Sequence, residues 1–571
     1  MASWNPMTSL RNLARNSPWV VMAIALHLIL IAVATIFYTS HSETRVVDRG
    51  ITIRNEPKRE PPPETVEEPL KVRQEIPLAP DDTELVKLDE YVPSNQPAST
   101  VDDPIGDPDS TVDAPSDIPP ASSAIGPGHI GGRASRVSPY SGRPTNLVGP
   151  GRPDGTGTKP KSPLDERILQ GLAWLARHQD EDGSWSALRL HERCDAGQSC
   201  APRDVSYVAS YDEGLTGLAV LAFLGAGVRP GSTAYFKDEG RSDQKIVAGD
   251  VVKHGLKWLC EHQNDDGSFG KERPFLYNQA LATMALAEAY GMTGVRYYKE
   301  RAQRAVDFLQ AAQRPSPTGN GLWGWRYAAR QEIERFHQGD SLDEAFRREI
   351  YDADTSVTGW AVMALKSAQM SGLRVNPENM AGALAFARWC STPDGLTGYI
   401  DPKGAGAKVT GPDDHFEYHP AGMSALSMCI RAFTAHDPND AFLEPAAKRL
   451  AADLPRVGKD KLTIDYYYWY YGSLALFQFD GPDAPRNGER YWRPWNKATL
   501  DALLDLQTSR GKDCRLGGWL VPDRWCHSGG PIYATAINVL TLEVTYRYPN
   551  AFSMGRKAAK PSDVEPPQGA K

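Results

Sequence analysis

The sequence carries no surplus of positive charge. Its 63 Lys and Arg are outnumbered by 71 Asp and Glu, for a net charge of −8. That argues against a nucleic-acid partner, because no basic excess is available to neutralise phosphates. Apolar residues are scarce between Ser42 and Pro163, where "EPKREPPPETVEEP" and "VDDPIGDPDSTVDAPSDIPP" are dense in Pro, Asp, Glu and Gly. Such a stretch buries too little apolar surface to offset its ordering entropy. It reads as an extended, partly polyproline-II linker over 39–162, with a second disordered tail over 550–571.

A clear cleavage site is also missing after the apolar run "WVVMAIALHLILIAVATIFY" (Trp19–Tyr38). The run is longer than a secretory signal core and long enough to cross a hydrocarbon layer as a helix. The expectation is an uncleaved transmembrane anchor over 18–38 behind a short N-terminus, 1–17. Arg11 and Arg15 precede it without an acid, which favours a cytoplasmic N-terminus, although Arg45, Arg49 and Arg54 follow. What comes after the linker is then placed outside the cytoplasm, in a periplasmic-type compartment. His27 lies inside the span, where an ionisable side chain either bonds a backbone carbonyl or headgroup or serves a function. Pro18, Trp19 and His27, followed by a Pro-rich acidic linker, resemble the N-terminus of TonB-type energy-transducing proteins. That resemblance implies that His27 couples the chain to a proton-driven motor complex. It covers only about the first tenth of the chain, and the TonB-type C-terminal domain is absent.

At 571 residues the chain is too long for one ordinary core unless the architecture repeats. It does repeat. "LARHQDEDGSWS" (Leu175–Ser186) and "LCEHQNDDGSFG" (Leu259–Gly270) each end an amphipathic helical stretch. Gly183 and Gly267 are suited to the positive φ that stops a helix. A wholly apolar stretch follows each: "GLTGLAVLAFLGAG", then "NQALATMALAEAY". Apolarity on every side predicts a helix buried all round. Degraded copies continue to "YATAINVLTLEVTYRY", giving about six helix pairs. The predicted fold is all-α: a single (α/α)6 toroid over 163–549, apolar helices inside and amphipathic helices outside.

Gln, two residues, Asp-Gly-Ser, then Trp or Phe resembles the repeat signature of squalene and oxidosqualene cyclases, whose fold protein prenyltransferase β-subunits share. The matching residues are Gln179, Asp182, Gly183, Ser184 and Trp185, then Gln263, Asp266, Gly267, Ser268 and Phe269, with echoes in Gln313 with Trp323 and Gln507 with Trp519. The resemblance implies the α/α-toroid, and one fold hosts many chemistries. It also implies an Asp-x-Asp-Asp-Thr proton donor in class II cyclases. Here "YDADTSVTGW" offers Asp352 and Asp354 with one acid missing. Asp354 as an N-cap of the next helix is the competing expectation.

Inner-helix N-termini would ring one mouth and present partial positive charge. The cavity candidates there are Tyr211, Asp212, Tyr277, Trp325, Trp360, His415, His419, Tyr466 and Tyr467. The acid candidates are Asp352, Asp354, Glu417 and Asp465. Cys194–Cys200 and Cys514–Cys526 are locally spaced pairs in loops, suited to disulfides in an oxidising compartment. Cys260, Cys390 and Cys429 read as buried helix thiols. The zinc-holding Asp-x-Cys element of prenyltransferases is not in its expected context, with Asp513-Cys514 and Cys526-His527 the nearest material. No metal and no cofactor is therefore expected.

Four functions compete. A binding or scaffold toroid would hold an apolar or polymeric ligand in its cavity, with its carboxylates bonded to backbone N–H groups. A terpenoid cyclase would place Asp352 or Asp354 in a poorly solvated pocket with a raised pKa. A carbohydrate-active barrel would set two of Asp352, Glu417 and Asp465 across a Trp-lined groove. The anchor alone would serve a motor through His27. The first is favoured, because the acidic motif that makes relatives active is incomplete.

Overall fold

The computed structural model describes Tyr140, Arg143, Pro144, Leu147 and residues 162–548, except 196–197, 202–209, 238–244, 272, 339–342, 403–418, 459–462, 483, 485–489 and 512. Among the described residues no helix is long and apolar enough to cross a membrane. The expected anchor over 18–38, His27 within it, and the 550–571 tail lie outside them.

The architecture follows from which helices can show a polar face. The outer helices are amphipathic: α1 (Pro163–Arg177), α3 (Ala248–Glu261), α5 (Arg296–Ala311), α9 (Pro377–Trp389), α11 (Leu443–Ala452) and α13 (Trp492–Leu506). In α1, Ile168, Leu172 and Leu175 form the buried stripe, and Ser162 caps the N-terminus ahead of Pro163. The inner helices have little polar surface to offer water, and nearly every residue in them is buried. They are α2 (Asp212–Gly225), α4 (Leu276–Thr293), α8 (Thr355–Met370), α10 (Pro420–Thr434), α12 (Tyr466–Asp480) and α14 (Cys526–Leu542). The last bends at Gly530 and Pro531, where the chain leaves helical geometry.

The inner helices touch in the order α2, α4, α8, α10, α12, α14, and α14 returns to α2. Each outer helix packs on the inner helix that precedes it around the ring, α1 on α14 at the seam, and all but α13 also pack on the inner helix that follows. The layers thus form a closed double ring of six helix pairs. Two short helices, α6 (Arg330–Phe336) and α7 (Glu344–Ile350), decorate the third pair, and α15 (Val544–Arg547) ends the chain of elements. One feature departs from the all-helical expectation. Strands β1 (Tyr235–Lys237) and β2 (Lys245–Val247) form an antiparallel ribbon with Tyr235 opposite Val247.

The repeated phrase works as a clasp between neighbouring units. Gln179 donates through Nε2 to Gly183 O at 2.8 Å, closing its own turn, and to Val251 O at 2.9 Å on the next outer helix. Gln263 does the same to Gly267 O and Arg301 O, and Gln313 to Trp323 O and Asn379 O. Gln507, in the last unit, reaches Gly517 O and Arg167 O, both at 2.9 Å, so the clasp joins the end of the ring to its beginning. The aromatic of the phrase caps the helix just left. Trp185 Nε1 donates to Leu175 O at 2.8 Å, one of the carbonyls that a helix end leaves unpaired.

Two details differ from the sequence reading. The helices stop at His178 and His262, so Gly183 and Gly267 lie beyond the helix ends, in the turn itself. Gly183 does take positive φ (+94°), and a Cβ there would meet His254 O at 2.6 Å, so the turn needs glycine twice over. In the third unit the capping aromatic is Trp325, donating to Leu309 O at 2.7 Å, rather than Trp323. Tyr140 and Arg143, placed in the linker by composition, are buried against the ring. Tyr140 Oη donates to Ser367 O at 3.1 Å and Arg143 donates to Leu224 O at 3.1 Å.

Candidate functional site

Sequence reasoning placed the polar candidates ahead of the inner helices, and the structure brings several of them together at that mouth. Asp354 is the N-cap of α8: its Oδ1 accepts from Val357 N–H at 2.7 Å. Its Oδ2 pairs with Arg326 at 3.1 Å, and the same guanidinium reaches Asp352 at 3.1 Å. Arg326 lies over the rings of Tyr327 and Tyr399 at 4.5 and 5.2 Å. Burial pushes Asp354 up to about 6, against the pull of Arg326. Burial also raises Asp352.

A second acidic group sits at the start of α12. Asp465 caps the helix by accepting from Tyr468 N–H at 2.9 Å, and also accepts from Trp525 Nε1 at 3.0 Å. Beside it is Asp523, which sequence reasoning missed. It accepts from the backbone N–H groups of Tyr466 and Trp525, both at 2.9 Å. Burial, then the charge of Asp465, pushes Asp523 up to about 7. Its one signal in the sequence was a lone acid in the polar stretch "VPDRWCHS".

Between the two acidic groups the mouth is crossed by hydroxyls. Tyr277 Oη meets Ser356 Oγ at 2.6 Å, and Ser356 Oγ meets Tyr467 Oη at 2.5 Å, linking α4, α8 and α12. Half-buried aromatics continue the rim: Tyr211 beside Phe275 (5.4 Å), Phe275 beside Tyr327 (5.9 Å) and Trp525 beside Tyr467 (5.8 Å). Deeper in, Trp360 stacks on Tyr470 at 5.8 Å. Because α8 and α12 are separated in the ring by α10, these contacts cross the ring's interior. Tyr470 Oη and Tyr471 Oη are buried there with no protein hydrogen-bond partner, and so, on α14, are Tyr533 Oη and both polar atoms of the Asn538 amide.

Other candidates are structural. Trp325 is spent on its helix cap. Tyr466 Oη donates to Val521 O at 3.0 Å. Asp212 pairs with Arg189 at 3.3 Å, the arginine that also holds Asp180 and Ser184 of the first clasp. His419 caps α10, stacks on Tyr468 at 3.9 Å and bonds Asp453 at 2.8 Å. His415 and Glu417 lie outside the described residues.

The opposite end of the ring holds an ionic plug that sequence reasoning also missed. Glu288, fully buried on α4, pairs with Arg143 at 2.7 Å and with Arg547 at 3.1 Å. It also accepts from Ser367 and Tyr548, both at 3.0 Å. Burial alone would raise Glu288, but the two guanidiniums outweigh it and hold the carboxyl below its usual value.

The cysteine expectations need correction. All seven cysteines are free thiols. Cys514 lies against Cys200, Sγ to Sγ 3.6 Å, and not against Cys526. Cys526 Sγ instead accepts from Asp523 N–H at 3.4 Å. Cys194 and Cys200 do lie together, Cys200 N–H donating to Cys194 Sγ at 3.4 Å, but the expected Cys514–Cys526 pair followed spacing along the chain, whereas ring closure carries the last unit's loop to the first unit. Cys194, Cys200, Cys514 and His178 present their sulfur and nitrogen atoms within 4.8 Å of one another.

No protein-family model and no curated protein matches the chain. Solved structures do align with it. The type II terpene cyclase MstE from Scytonema is 14% identical, with a TM-score of 0.40 over 66% of this chain and 97% of its own. An α-1,6-mannanase from a Salegentibacter species is 12% identical, with a TM-score of 0.39 over 67% of this chain and 98% of its own. A protein from Actinoplanes aligns at 13% identity and a TM-score of 0.37, over 67% of this chain and 99% of its own. Likenesses at this level carry no argument about chemistry. The toroid rests on the helix contacts described above.

Proposed function

We propose that the toroid is a binding or scaffold domain that holds a ligand between its aromatic rim and its interior. One observation carries the reading. The acids best placed for proton transfer are engaged as structural acceptors, Asp354, Asp465 and Asp523 by backbone N–H groups and Asp352 by Arg326. A carboxylate already committed to a helix cap or an ion pair is poorly placed to carry a proton to a substrate. The interior supplies what a ligand needs: aromatic faces, and the Tyr470 and Tyr471 hydroxyls with no protein partner. The ligand class is apolar or polymeric, with scattered hydroxyl or amide groups.

A second reading is supported by one fact. Asp354 and Asp523 are held near 6 and 7, the range suited to acid–base work in a terpenoid cyclase or a carbohydrate-active barrel. One experiment separates the two. The purified chain is incubated with linear C20 and C30 isoprenoids and with a panel of oligosaccharides, while both binding and product are measured. The binding reading expects a ligand to be retained without turnover, and retention to fall in Tyr277→Ala and Tyr467→Phe. Product that vanishes in Asp354→Asn or Asp523→Asn would overturn it.

The location of the domain is part of the same proposal. The apolar segment over 18–38 would tether the toroid outside the cytoplasm, with His27 facing a motor complex. Protease added to intact spheroplasts should then digest the toroid, and His27→Ala should abolish co-purification with a motor. A protected toroid, or unchanged co-purification, would contradict the respective claim.

A further inference from the structure

The cluster of His178, Cys194, Cys200 and Cys514 lies far from the rim in function and at the most consequential place in the fold. His178 ends α1, the first outer helix. Cys194 and Cys200 stand in the loop beyond it, and Cys514 comes from the loop of the last unit, 314 residues after Cys200. The cluster therefore straddles the seam where the ring closes.

Its geometry is that of a ligand set. Cys200 Sγ is 3.6 Å from Cys514 Sγ and 3.4 Å from His178 Nε2. A disulfide needs about 2.05 Å between sulfurs. A tetrahedron of thiolates and imidazole around zinc, with Zn–S near 2.3 Å and Zn–N near 2.0 Å, has edges of about 3.5–3.8 Å. The histidine is already oriented. Its Nδ1 bonds Trp174 O at 2.8 Å and its ring stacks on Trp174 at 4.0 Å, leaving Nε2 for the sulfurs. A carbonyl partner on the far nitrogen is the arrangement that fixes a metal-binding imidazole.

The second unit provides an internal comparison. His262 makes the same bond to Trp258 O at 2.8 Å and the same stack at 3.9 Å. The carbonyl bond thus belongs to the repeat, while the thiols are an addition to the seam: among the described residues this is the one group of such ligands. Cys200 N–H donates to Cys194 Sγ at 3.4 Å, and Cys514 N–H is fixed by Asp195 Oδ2 at 2.8 Å. His178, Cys200 and Cys514 are buried, whereas Cys194 is half-buried and borders a surface groove of about 660 Å³, which gives an ion a way in.

We propose that His178, Cys194, Cys200 and Cys514 bind one zinc ion that pins the last unit of the ring to the first. Three thiolates and one imidazole fill a tetrahedron, so the ion has no open position for a substrate and its role is structural. A cross-link between units so distant in sequence removes a large loop entropy from the open chain, where it matters most to closure.

The test uses the full chain, purified with a thiol reductant and incubated with zinc or cobalt. The expected metal content is one ion per chain. Cobalt should give the visible bands of a tetrahedral site and the near-ultraviolet charge transfer of thiolate ligation. Zinc content should fall more than about tenfold in Cys514→Ser and in Cys200→Ser. Chelation of the unmutated protein should speed hydrogen exchange at 190–200 and 513–519 before the rest of the ring, a readout that does not depend on the variants folding. Absence of bound metal in the reduced protein would overturn the proposal. So would zinc retained by the double variant Cys200→Ser/Cys514→Ser, or a Cys200–Cys514 disulfide in place of metal.

Discussion

Replacing Glu288 with Gln should be among the most damaging single changes in the ring. The carboxylate accepts from Arg143 at 2.7 Å, from Arg547 at 3.1 and 3.2 Å, and from Ser367 and Tyr548. Gln keeps the size but removes the charge and turns one acceptor into a donor facing guanidinium. Two buried cations are then left without a counter-ion. Glu543, 3.9 Å from Arg547, is a weak substitute, because burial holds its carboxyl toward the neutral form. Removing one partner of a buried ion pair costs about 3–5 kcal/mol, a large part of a domain's net stability of roughly 5–15 kcal/mol. Guanidinium unfolding followed by tryptophan fluorescence measures it, with Glu300→Gln as a control. Glu300 belongs to an exposed pair with Arg296, and its loss should change stability by no more than about 0.5 kcal/mol. Because the Glu288 carboxyl is depressed, its contribution is present above the unfolded carboxyl value and is lost as pH falls through the lower folded value. A loss in Glu288→Gln below about 1 kcal/mol would refute the reasoning, unless adding Glu543→Gln restored the deficit by showing that Glu543 had ionised in its place.

Gln507→Leu removes both donors of the closing clasp and should destabilise by about 1–3 kcal/mol in the same unfolding assay, with faster hydrogen exchange at Arg167 and Gly517. Trp185→Phe keeps the ring but drops the bond to Leu175 O; a loss of about 1 kcal/mol is expected, and none at all would show that the cap is idle. Asp523 is raised to about 7, so its contribution is full below the unfolded value of about 4 and disappears as pH rises through 7. Melting temperature should therefore decline more from pH 4 to pH 7 in the unmutated protein than in Asp523→Asn, and parallel curves would contradict the assignment.

How much of this was legible depended on how local each signal was. The clasp was readable because Gln179, Asp182, Ser184 and Trp185 act within a few residues: Asp182 Oδ1 accepts from Ser184 N–H and Oγ at 2.9 and 2.7 Å. The inner helices were readable because α2 and α12 show no polar face. In the third unit the signal slipped, since the longer loop after Gln313 carries two tryptophans and only packing decides that Trp325 is the cap. Asp354 was readable as a cap, but its partner Arg326 lies 28 residues earlier and is brought in by the fold. Cys514 was given the wrong neighbour for the same reason: closure, not spacing, sets it against Cys200, while the local pair Cys194 and Cys200 does lie together. Glu288 leaves a trace, as the single acid in "LYNQALATMALAEAYGMT", but its partners Arg143 and Arg547 lie 145 and 259 residues away and are brought in by the fold.

Closure of the ring is the claim on which the rim, the plug and the seam all depend. It is tested most directly by the distance between spectroscopic labels placed through non-natural residues at the exposed positions Glu166 and Arg510. With Gln507 bonded to Arg167 O, chain reach keeps the two labelled backbones within about 20 Å of each other. An uncurled stack of six pairs, at about 10 Å per neighbouring helix, would hold them about 50 Å apart. A single short-distance population is the predicted result, and a population near the longer distance would contradict the closed ring.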